Sequence, residues 1–67
     1  MKSLLRMRRN EAELTQEQLA KLAGVARISV QRIETGESAG SIPVMKKLAH
    51  ALHCQVNDLI SDENQSV

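Results

Sequence analysis

Residues 14–36 read Leu-Thr-Gln-Glu-Gln-Leu-Ala-Lys-Leu-Ala-Gly-Val-Ala-Arg-Ile-Ser-Val-Gln-Arg-Ile-Glu-Thr-Gly, and this stretch decides the fold. Thr15 is an N-cap residue, and Gln18 three positions later completes a capping box. Glu17 adds negative charge at the positive end of the helix that follows. Leu19, Leu22 and Ala23 form its expected apolar face, and Gly24 ends it. A second helix is expected from about Ala26 to Thr35, where Gly36 stops it. Two helices joined by a short glycine-containing turn can cross steeply and leave the second exposed along one side. The crossing needs a small residue, supplied by Ala20. The turn has Gly24, and Val25, Val30 and Ile33 form the narrow apolar stripe of the second helix.

At about 100° per residue, Ala26, Val30 and Ile33 fall on one side of that second helix. Arg27, Ile28, Gln31, Arg32 and Thr35 fall on the other. Glu34 lies beside the apolar stripe and points partly inward, so it needs a partner. Two features serve stability badly. Arg27 sets positive charge on the positive end of the helix dipole, and Ala26 stands where a Ser or Thr would cap the orphan amides. Free amides and an arginine at one helix end suit a phosphate or a guanine edge. Ile28, opposite the core stripe, suits a thymine methyl.

Outward from this stretch the chain reads as all-α. A first helix is expected over roughly Lys2 to Ala12, with Met1, Leu5 and Ala12 on its apolar side. A fourth starts at Ser41 as N-cap, with Pro43 in its first turn, and carries a stripe of Met45, Leu48, Ala49 and Leu52. A last short helix carries Val56, Leu59 and Ile60. Residues 1–60 form one domain in this reading, and 61–67 a disordered tail.

The chain has 67 residues, too few for a large core, so association is expected to support it. It contains no Phe, Trp or Tyr, which disfavours binding of single strands by base stacking and favours a duplex. The net charge is only +1, but it is unevenly placed: residues 1–36 sum to +3 and residues 37–67 to −2. One cysteine allows no internal disulfide, and neither a leader nor a long apolar run is visible. A cytosolic protein without a membrane contact or a small-molecule domain is expected. His50, His53 and Cys54 offer no fourth metal ligand, and no nucleophile–base pair suggests catalysis, so no metal, cofactor or enzymatic activity is expected.

Residues 14–36, together with Ser-Ile-Pro-Val-Met-Lys-Lys-Leu-Ala-His-Ala-Leu (41–52) and Val-Asn-Asp-Leu (56–59), resemble the Cro/repressor-type (XRE-like) helix-turn-helix family. The resemblance covers roughly residues 3–60 and implies a compact five-helix, lambda-repressor-like fold that binds an operator in double-stranded DNA. It implies that Gln16 contacts a phosphate and braces the start of the recognition helix, and that Ser29 approaches the backbone. Arg27, Ile28 and Arg32 match base-reading positions, with Gln31 a fourth. Arg9 is implied as the partner of Glu34, and Cys54 matches a core position. Val56, Leu59 and Ile60 are expected to close the core, to form a homodimer contact, or to do both. The sequence departs from the family in the loop Glu37-Ser38-Ala39-Gly40, which lacks basic residues, and at His53, where glycine is usual. A dimeric transcriptional repressor is the leading expectation. An antitoxin that binds both DNA and a toxin is the alternative.

Overall fold

The computed structural model describes residues 4–59. Its elements are α1 (Leu5–Glu11), α2 (Gln16–Ala23), α3 (Arg27–Thr35), α4 (Ile42–Ala51) and a single 3-10 turn over Val56–Leu59. No strand occurs among the described residues. The expected five-helix count is therefore corrected to four α-helices and a 3-10 turn. The cause is local: the Asp58 carboxylate accepts from the Gln55 amide at 3.0 Å, and the Asp58 amide donates to the Gln55 carbonyl at 2.9 Å. The backbone bond, of i to i+3 spacing, winds the chain at about 3.0 residues per turn in place of the α-helical 3.6 or so, and the carboxylate caps its first amide.

Capping explains most helix boundaries. Thr15 Oγ1 accepts from the Gln18 amide at 3.0 Å, and Gln18 Oε1 accepts from the Thr15 amide at 2.8 Å, which closes the capping box. Gly24 follows α2 with φ 76°, the left-handed conformation a turn into α3 requires. Ser41 Oγ accepts from the Val44 amide at 3.3 Å and starts α4. Helix α1 ends before Ala12, which is exposed and adds nothing to the core. Met1, also assigned to that apolar side, lies outside the described residues.

Two helices end in Schellman geometry around a residue other than glycine. After α1, Glu13 has φ 59°, its amide donates to Asn10 O, and the Leu14 amide donates to Arg9 O. After α4, His53 has φ 56°, its amide donates to His50 O, and the Cys54 amide donates to Ala49 O. His53, where the resembling family usually has glycine, thus stands in the left-handed region, and Glu13 shares that strained conformation.

The core consists of Leu5, Leu19, Ala20, Val30, Ile33, Met45, Leu48, Ala49 and Leu59. Helix α2 packs on both α3 and α4, and the 3-10 turn closes against α4. The Leu4 amide donates to Leu59 O at 3.2 Å and joins the two ends of the described chain. Leu22 is corrected: it is 62% exposed rather than part of the apolar face. Leu19, Ala20 and Ala23 point toward α3 and α4, and Leu22 lies about 100° around the helix from their centre.

Candidate nucleic-acid interface

Helix α3 divides cleanly between an inner and an outer side. Val30 and Ile33 are buried, and Arg27, Ile28, Gln31 and Arg32 are all exposed. Ile28 is 46% exposed, high for an isoleucine set among charged neighbours. Ser29 is half-buried. Neither Arg27 nor Arg32 forms an ion pair or side-chain hydrogen bond among the described residues, so both guanidinium groups keep their donors. Ala26 occupies the N-cap position of α3 in extended conformation and makes no side-chain hydrogen bond there. Amides at that end thus lack the acceptor that a serine or threonine would supply.

The inner side holds a polar knot at Glu34, whose side chain is 0% exposed. Arg9 Nε donates to Glu34 Oε2 at 2.6 Å, and Arg9 Nη2 donates to Oε1 at 3.1 Å, a two-point fork. Arg9 Nη1 donates to Leu14 O at 2.8 Å, so one side chain fixes both α3 and the corner between α1 and α2. Gln16 Nε2 also donates to Glu34 Oε1, at 3.1 Å. Arg6 Nε lies 3.5 Å from that same oxygen. Burial pushes the Glu34 pKa upward, but hydrogen bonds from Arg9 and Gln16, with the charge of Arg9 and a contact from Arg6, more than offset it. The net effect lowers it. The Glu34 hydrogen bond raises the Arg9 pKa despite partial burial.

Within the structure, Glu34 is partnered chiefly by Arg9. Sequence reading missed Arg6, although Arg6 and Arg9 stand at i and i+3 on one helix and share a face. It also did not anticipate that Gln16 binds Glu34 directly. That bond uses one of the two amide protons of Gln16 and aims the group from the start of α2. An open groove of about 610 Å³ runs there, lined by Arg9, Gln16 and Arg27 and also by Glu13 and Glu17.

Elsewhere, Val56 is half-buried, Leu59 is buried in the chain's own core, and Ile60 lies outside the described residues. His50 and His53 are exposed, and Cys54 is half-buried, its thiol pKa raised by desolvation. Among the described residues, no three His, Cys, Asp or Glu side chains gather as a metal site, and no helix is long and apolar enough to cross a membrane.

Two crossed helices, the second bearing exposed donors, define a helix-turn-helix protein. The sequence profile of the helix-turn-helix family matches residues 5–59, a span that contains every element described above. The chain belongs to this family, of the XRE/Cro type, whose members bind DNA and are typically not enzymes. A comparison with curated proteins gives no match.

Proposed function

We propose that this chain is a sequence-specific regulator of transcription, a dimeric repressor that lays α3 in the major groove of an operator. The observation that carries the reading is the division of α3. Arg27, Ile28, Gln31 and Arg32 are exposed together, and no ion pair among the described residues engages either arginine. An arginine fork matches guanine N7 and O6, an isoleucine suits a thymine methyl, and glutamine suits adenine. Gln16 and Ser29 serve the backbone, where contacts set register rather than sequence. Glu34 supports this assignment for Gln16, since a side chain already aimed by one hydrogen bond loses less freedom on binding. Symmetric pairing through Val56 and Ile60 would place two copies of α3 about 34 Å apart, one duplex turn.

Selection of bound duplexes from a random pool, followed by a salt titration, tests the reading. The expected result is a pseudo-palindrome with half-sites about 10 base pairs apart, bound with an affinity that falls steeply with salt. Enrichment of no sequence, or affinity indifferent to salt, would reject it.

A further inference from the structure

We infer that Arg6 is a phosphate-contacting residue of the same duplex interface, parked beside Gln16 by Glu34 rather than needed to neutralise it. The inference rests on the DNA reading above and extends it to a helix outside the helix-turn-helix. Glu34 carries one negative charge, and Arg9 already meets both of its oxygens, at 2.6 and 3.1 Å. The nearest approach of Arg6 is from Nε to Oε1 at 3.5 Å, which is long for a hydrogen bond. The two arginines also differ in exposure: the Arg6 side chain is 61% exposed and that of Arg9 13%. Two guanidinium groups and one carboxylate leave one surplus positive charge, and it resides on the exposed partner. Neither Nη group of Arg6 makes a hydrogen bond among the described residues.

Position turns this surplus into a site. Glu34 Oε1 is shared by Arg9, Arg6 and Gln16, so the Arg6 guanidinium and the amide assigned to a backbone phosphate converge on one atom. A guanidinium with two parallel N–H donors fits two phosphate oxygens. Glu34 lies nearest the Nε of Arg6, and the Nη donors, which make no hydrogen bond among the described residues, remain for such a pair. Arg6 belongs to α1 and not to the outer side of α3, so it meets the strand backbone and carries no base preference.

The test uses the full chain, a duplex taken from the selection and an unrelated duplex of equal length. Arg6→Gln is expected to lower affinity for both by the same factor and to reduce the slope of log K against log salt by about 0.9. Over the decade from 1 M down to 0.1 M salt, that slope corresponds to a loss of roughly 8-fold. Arg6→Lys retains the slope. The melting temperature of Arg6→Gln falls far less than that of Arg9→Gln, because Arg9 still holds both oxygens of Glu34. Unchanged affinity and slope in Arg6→Gln, with wild type binding normally, overturns the inference alone. A loss on the selected duplex only, or a fall in melting temperature as large as that of Arg9→Gln, overturns it too. Salt-indifferent or absent binding by wild type instead removes the DNA reading itself.

Discussion

Arg9 and Glu34, 25 residues apart in the chain, meet at 2.6 Å with the glutamate side chain wholly withdrawn from solvent. One end of the contact is in α1 and the other in the helix that presents the exposed arginines. The orientation of α3 is thereby tied to an element outside the helix-turn-helix.

Removing either partner is expected to cost more than the ~0.2–1 kcal/mol of an exposed pair. Loss of a partner from a fully buried pair costs about 3–5 kcal/mol, but Gln16 and Arg6 remain on Glu34. Arg9→Ala should therefore destabilise by about 2 kcal/mol in urea denaturation, between these limits. The double variant Arg9→Ala/Glu34→Ala should lose less than the sum of the singles. Additive losses near zero would mean that the contact does not hold in solution.

Stability should also depend on acid through Glu34. Its pKa in the folded chain is lowered, so the unfolded chain takes up this proton first as pH falls. The contribution is fully present above the unfolded value of about 4.3 and is lost as pH drops through the lower folded value. Glu34→Gln removes this dependence, so the gap between urea midpoints of wild type and variant should narrow below that value. A gap independent of pH would exclude Glu34 as the titrating group.

Arg32→Ala should cost ~1–3 kcal/mol at the selected site and relax preference at one base pair per half-site. Arg27→Ala should do the same at another position. Gln16→Ala should weaken binding to all duplexes about equally, since phosphates carry no direct sequence information. Titration against single-base substitutions at fixed salt separates the two patterns. Uniform losses from the arginine variants would make them phosphate clamps.

Leu59 is 1% exposed within a single chain, so Leu59→Asp should yield unfolded protein rather than folded monomers. Leu59→Ala should cost about 2–5 kcal/mol. Circular dichroism reads both. Dimerisation is better judged from wild type, which should sediment as a dimer at DNA-binding concentrations. A monomer with half-site binding only would reject symmetric recognition.

Backbone conformation predicts opposite outcomes for two glycine exchanges. His53 has φ 56°, so His53→Gly should stabilise by up to about 1 kcal/mol, strain relief outweighing the added freedom of the unfolded chain. Gly40 has φ 76°, and a Cβ there would lie 2.9 Å from Ile33 Cδ1 and 3.1 Å from Met45 Sδ. Gly40→Ala should destabilise by roughly 1–3 kcal/mol, combining left-handed strain with overpacking. Melting temperatures that move the other way would show that these backbone angles differ in solution.

The sequence by itself determined what depends on neighbours along the chain. Thr15 and Gln18 close a capping box because three positions bring them together on any helix that starts there. Ala26 offers no side-chain cap and Gly24 turns left-handed for equally local reasons. Periodicity also separated the outer side of α3 from Val30 and Ile33, and it showed that Glu34 needed a partner. Only the tertiary structure decided what depends on how the helices cross. The α2 packing angle turns Leu22 to solvent, although spacing alone grouped it with Leu19 and Ala23. The approach of α1 brings Arg6 and Arg9 to one carboxylate, and the start of α2 adds Gln16 to the same oxygen. A helical repeat fixes the direction of each side chain around its own axis. It says nothing of which second axis passes nearby, and burial, ion pairing and exposed surplus charge all follow from that.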